Sequence, residues 1–270
     1  MLLIAVPVLW AIVYSFAFSF GAIGRLSTGW TLEYWRSAIF DGFITRTVSY
    51  SVYVASCVTC LVIGTSLVVA GLFSEIRHSR WLLGMLLIQS GTPAVVVATQ
   101  ISHWGGGGGL VSRIAFQIGL IQSPNEFPGL VQDRWGIGLI LGISMTLLPL
   151  SMLYFMNLWD LYGFERYCRL AEQLGCTPWQ AKLKVAIPMM LKRGSAMLVL
   201  IFLLALGSYE IPYLLGRQSP QMFSVATQQR AGQFDLLNRP QAFALAAVYF
   251  TACSVLLVLY LRNRRASYAL

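Results

Sequence analysis

Residues 169–188, RLAEQLGCTPWQAKLKVAIP, form a polar and basic island between two long apolar segments. Arg169 to Leu174 continue a helical pattern, Gly175 supplies the permissive backbone of a turn, and Thr177 followed by Pro178 reads as the cap and first residue of a new helix. Trp179, Ala181, Leu183 and Val185 give that second segment apolar groups among Lys182 and Lys184, and Pro188 closes it. The pattern predicts helix, turn, helix over the loop 160–192. A compact knob of this kind, apolar on part of its surface, suits insertion into a groove on a partner.

The sequence on either side says where the knob stands. Of 270 residues, 57% are hydrophobic and 11% charged, with a mean hydropathy of +0.68, whereas soluble domains carry roughly 25% charged residues. Spanning about 30 Å of hydrocarbon takes roughly 20 apolar residues per helix, and the alternation of a membrane barrel is absent. The expected fold class is all-α integral membrane, one domain over 1–270 with six spans near 2–20, 49–72, 81–102, 135–158, 193–215 and 241–261. The first span has no basic stretch before it and no small-residue cleavage site after it, so it reads as a span rather than a removed signal.

Eleven of the 19 Lys and Arg fall on the side that holds the island, namely Arg77, Arg80, Arg166, Arg169, Lys182, Lys184, Lys192, Arg193, Arg262, Arg264 and Arg265. The other side has Arg25, Arg36, Arg46, Arg113, Arg134, Arg217, Arg230 and Arg239, spread over longer loops. Positive-inside counting puts both termini and the island in the cytoplasm. Topology thus accounts for the net charge of +9, and no nucleic-acid partner is expected.

Cys57 and Cys60 place two small residues on one helix face, which reads as packing rather than redox chemistry. His78 and His103 lie on opposite sides of the membrane, so no metal site is expected. Residues 29–43, GWTLEYWRSAIFDGF, read as an interfacial aromatic segment. Gly105 to Gly109 read as a flexible connector, and LVSRIAFQIGLI after them as a short amphipathic helix on the outer surface. The loop 216–240 is a second place for an outside partner.

The island resembles the EAA loop of type I ABC importer permeases, the inner-membrane components of binding-protein-dependent transport systems. Ala171 stands at the third position of the EAA triplet, Gly175 at the glycine, Val185 at the Ile position and Ile187-Pro188 at the closing LP. Arg169 and Leu170 depart from the usual Glu and Ala, and Glu172 is out of register. The segments TLEYWRSAIF, TPAVV and SYEIPYLLG are similar to the same family, so the resemblance covers most of the chain.

The resemblance implies a transporter subunit and not an enzyme. It implies a second permease subunit, identical or homologous, two ATP-binding subunits, an extracytoplasmic substrate-binding protein, and a multi-pass place among the lipids of a bacterial inner membrane. ATP and Mg would belong to the partner ATPase and no cofactor to this chain, which lacks the GxxxxGK[ST] phosphate loop. The coupling residues implied are Arg169, Ala171, Glu172, Gly175, Thr177, Trp179, Val185 and Pro188. The branch most similar handles spermidine and putrescine, iron, sulfate or phosphonate, and polyamine is the substrate leaned toward.

Polar residues inside spans often mark a pathway. Gln89, Thr92, Thr99 and Gln100 fall at about 0, 300, 280 and 20° on one continuous helix, a stripe that lines a cavity or forms a hydrogen-bonded seam. Tyr209 and Glu210, before Pro212, are further pathway candidates; Glu210 either meets a cationic solute or pairs with Arg217 or a partner chain. The alternative function is a secondary transporter for a small polar solute, which would be expected to show internal repeats and ionisable residues at mid-membrane.

Overall fold

The computed structural model describes residues 2–23, 29–32, 34–36, 42–73, 79–123, 126, 129–232 and 239–268, with 2–5, 8–9 and 264–268 as backbone only. The aromatic segment 29–43, the loop 216–240 and the charge inventory, with Arg25, Glu75, Arg77 and His78, therefore lie partly outside the described residues. The main helices are α1 (Leu2–Ser19), α2 (Phe43–Leu72), α3 (Arg80–Ser90), α4 (Ala94–Gly105), α5 (Leu110–Gln117) and α6 (Ile137–Tyr162). They continue as α7 (Phe164–Gln173), α8 (Pro178–Arg193), α9 (Ser195–Gly207), α10 (Glu210–Leu215), α11 (Phe223–Ala231) and α12 (Arg239–Tyr268). No strand occurs among the described residues.

Among the described residues, three helices are long and apolar enough to cross a membrane: α2, α6 and the Arg239–Asn263 part of α12. Two bent pairs bring the number to five if each is one span. The expected third span is broken at Gly91 to Pro93, where Arg80–Ser90 and Ala94–Gln117 diverge by 102°. Proline lacks the amide that would continue the ladder. The expected fifth span, 193–215, begins at a 62° bend between Pro178–Arg193 and Ser195–Gly207 and is interrupted at Ser208 and Tyr209 before α10. The remaining expected span, 2–20, falls on α1, where Trp10–Ser19 is a shorter apolar helix and is not counted among those three to five.

The chain divides into two compact units, Met1–Val52 with Gln218–Leu270, and Tyr53–Arg217. In the first, α1 packs on α12 through rings, Phe18 and Phe243 at 4.4 Å and Tyr14 and Phe243 at 6.1 Å. Helix α11 lies on α12 with Phe223 stacked on Tyr249 at 5.1 Å, and Ile44, Phe223 and Leu245 form the buried cluster. The Phe223 amide, one of the donors a helix start leaves without an internal acceptor, donates to Ser51 Oγ at 2.8 Å.

The second unit is built around α6. Helices α3, α4, α9 and α10 pack against it, and Val54, Val58, Val62, Leu67 and Ala70 of α2 are buried. Close approach depends on missing side chains: a β-carbon at Gly142 would stand 2.8 Å from Ile211 Cγ2 and 3.2 Å from Ile101 Cδ1. The five glycines that read as a flexible connector form a compact turn instead. A β-carbon would meet Leu130 Cδ1 at 2.7 Å from Gly105, Ser102 O at 2.6 Å from Gly106 and His103 O at 2.7 Å from Gly109. Close approach thus requires glycine at 105, 106 and 109 and a φ of +86° favours it at 108, and α5 follows at Leu110, where an amphipathic helix was expected.

Candidate functional site

Two features of the second unit, a helical hairpin and a cleft, hold the coupling candidates and the pair Tyr209 and Glu210. In the hairpin, α7 presents Phe164, Cys168 and Ala171 on its buried face. It packs on α8, where Ala181, Ala186 and Met190 are buried. The turn between them is closed by hydrogen bonds on both sides. Gly175 has φ +93°, its amide donates to Glu172 O at 3.0 Å, and the Cys176 amide donates to Ala171 O at 3.1 Å. This is a Schellman closure, which a left-handed residue after the helix makes possible.

Two residues later the second helix is capped. Gln180 N donates to Thr177 Oγ1 and Thr177 N donates to Gln180 Oε1, each at 3.3 Å, a reciprocal capping box, with Pro178 as first helical residue. Gln180 was not among the sequence candidates, although the Thr-x-x-Gln spacing signals it.

Helix α8 then widens into a π turn at Lys182–Ala186, where the Ile187 amide donates to Lys182 O, five residues back. The cause follows in the chain. Proline at 188 cannot donate to Lys184 O, and in an α-ladder its ring would crowd that carbonyl; the wider turn relieves both problems. Val185 is half-buried in this turn and Pro188 is exposed.

At the tip, Leu174 is 87% exposed, Leu170 and Trp179 56% each, with Leu183 at 41%. Leucine at this exposure on a doubly capped, rigid turn is unusual; scattered apolar surface residues need no account, but a group of them at one end does. Neither Leu170, which the sequence shows only as a departure from the motif, nor Leu174 is among the coupling residues expected from it. Arg169 Nη2 binds Glu165 Oε1 at 2.6 Å on the solvent face of α7, a hydrogen bond that raises the guanidinium's pKa above its usual value, and Glu172 is exposed.

The cleft encloses about 380 Å³ and is lined by Ala94, Ile143, Thr146, Leu147, Leu204, Ser208, Tyr209, Glu210 and Ile211. It exists because α9 ends at Gly207 and α10 restarts at Glu210, so the interrupted stretch turns Tyr209 and Glu210 toward α4 and α6. Tyr209 stacks on Tyr213 with ring centres 5.6 Å apart. Glu210 makes no ion pair with Arg217 or another described cation within 4.0 Å, which removes the pairing with Arg217 as an account of it within this chain. Thr146, whose hydroxyl donates to Gly142 O at 3.1 Å, joins the cleft unannounced, though a lone threonine in an apolar span is a readable signal.

The stripe on the third span does not survive the bend. Gln89 lies on α3, Thr92 at the break, and Thr99 and Gln100 on α4, and none of the four lines the cleft. Thr92 and Thr99 turn their hydroxyls to Ile88 O and Val96 O of their own segments, and Gln89 Nε2 is buried without a hydrogen-bond partner. Among the described residues no three His, Cys, Asp or Glu side chains come together to hold a metal ion.

The fold has a likeness among solved transporter structures. Among solved structures the chain resembles one chain of a bacterial ABC transporter involved in the import of the acidic polysaccharide alginate, with a TM-score of 0.67 over 98% of this chain and 95% of that one, at 14% identity. No described protein family matches the sequence, and no curated protein does.

Proposed function

We propose that this chain is the permease subunit of an ATP-driven importer in a bacterial inner membrane. With a second permease, identical or homologous, it forms half of a six-span-per-subunit solute pathway, both termini cytoplasmic. An extracytoplasmic binding protein delivers the solute. Two ATP-binding subunits, carrying ATP and Mg, receive the hairpin in a groove and drive the switch between outward and inward access.

The observation that carries this reading is the hairpin's exposed apolar tip, Leu174 and Trp179, held on a turn closed from both sides. A rigid apolar projection loses little freedom on docking. The test is retention of an ATPase through purification. Leu174→Asp is expected to weaken retention about thirtyfold, the factor for the ~2 kcal/mol of a central contact, with the chain itself still folded. Undiminished retention would remove the tip from the interface.

For the solute, we infer a small cation of the polyamine class. Glu210 provides a carboxylate at the cleft and Tyr209 a ring face beside it, and both attract a cation. Glu210→Gln is expected to lower uptake of radiolabelled spermidine about tenfold, corresponding to ~1.4 kcal/mol, with assembly intact. Unchanged uptake would dismiss the carboxylate from recognition.

A further inference from the structure

The hairpin is also tied to a helix far from it in sequence. Lys182 Nζ donates to the carbonyl oxygen of Leu72, the last residue of α2, at 2.9 Å and across 110 residues. The carbonyls of a helix's last turn have no donor further along the helix, and a cation there also meets the negative end of the helix dipole. Lys182 is half-buried, so the contact is screened less than a surface pair.

Beside it the two elements touch directly. A β-carbon at Gly71 would stand 3.2 Å from Ile187 Cγ1 and 3.8 Å from Trp159 Cζ3, so the missing side chain admits α8 and the end of α6. Lys182 and Ile187 are the two residues joined by the π-type hydrogen bond, so the wide turn and the contacts with α2 involve the same pair.

We propose that Lys182 is a positioning residue that latches the end of α2 to the hairpin, so that a displacement imposed on the hairpin reaches α2 as well as α9. This rests on the docking reading above and adds a second route to it. The first route follows the chain through the 62° bend at Gly194 into α9. The second crosses directly from α8 to α2 through Lys182 and Gly71, and fails if the ammonium is removed.

The test is hydrogen–deuterium exchange on the permease–ATPase assembly in lipid nanodiscs, with and without ATP plus vanadate. In the unaltered assembly, nucleotide is expected to change exchange in 166–190 and in 61–72. Lys182→Met should confine the change to 166–190 and speed basal exchange at 69–72 about tenfold, as loss of a charged hydrogen bond implies; Lys182→Arg, which keeps a charged donor, should restore both. Should the Met variant fail to assemble, Lys182→Gln is read in the same way. A full nucleotide response at 61–72 without the ammonium overturns the latch. An unaltered assembly with no response at 166–190 overturns the docking reading, and the latch with it.

Discussion

Gly175→Pro is expected to reduce uptake per ATP hydrolysed to background, on the order of a hundredfold, while the spans still fold. Gly175 sits at φ +93°, a conformation that proline, fixed near −65°, cannot take. Its amide donates to Glu172 O at 3.0 Å, and proline has no amide to give. Both closures of the turn then fail, since the Cys176 bond to Ala171 O depends on the same left-handed residue. A cost of ~3 kcal/mol or more falls on the segment that joins α7 to α8.

The side-chain series separates cause from crowding. A β-carbon at 175 would meet nothing within 4 Å, so any loss comes from the backbone alone. Asn, which tolerates the left-handed region, should retain most coupling, Ala less and Val least. Uptake and ATP hydrolysis measured together in proteoliposomes read the ratio directly. Normal uptake in the proline variant would refute a mechanical role for the turn.

Gly194→Val is expected to lower the thermal midpoint of the purified chain by roughly 6–12 °C, from an overpacking cost of ~3 kcal/mol. At the bend between α8 and α9, a β-carbon would stand 2.5 Å from Phe155 Cε1 and 2.9 Å from Met190 O. Neither neighbour can withdraw: the Phe155 side chain is fully buried, and Met190 O accepts the Gly194 amide at 2.7 Å. Fluorescence-monitored unfolding in detergent measures the shift. An unchanged midpoint would mean that the bend opens freely to admit the side chain.

The parts of this molecule that were legible in its sequence are those set by neighbours along the chain. Gly175, Thr177 and Pro178 specify a turn and a cap through φ preference and hydrogen bonds within a few residues, and long apolar runs specify helices. Residues whose roles depend on partners far along the chain were not legible. Nothing near Lys182 announces Leu72, 110 residues away. Pro93 signals a break, but the 102° between the segments it separates is set by packing on α6 and α10, and with it went the stripe of Gln89, Thr92, Thr99 and Gln100. The glycine run failed for a related reason: freedom in an isolated chain and close approach in a folded one call for the same residue.

The π turn at Lys182–Ala186 also fixes an angle. It takes one more residue than an α-turn would, and each residue of an α-helix advances the chain by about 100°. A continuous α-helix wound over the same residues would rotate whatever lies before the turn by that amount relative to whatever lies after it; the wider turn absorbs the extra residue within one revolution. Winding the stretch as a regular α-helix at the same length would leave the composition of the tip and every cap in place, yet swing Thr177 and Trp179 around the axis of α8 relative to Met190, and deleting one residue as well would bring them back. The turn acts as a phase setting: it determines which way the apolar tip faces, independently of how firmly the tip is held.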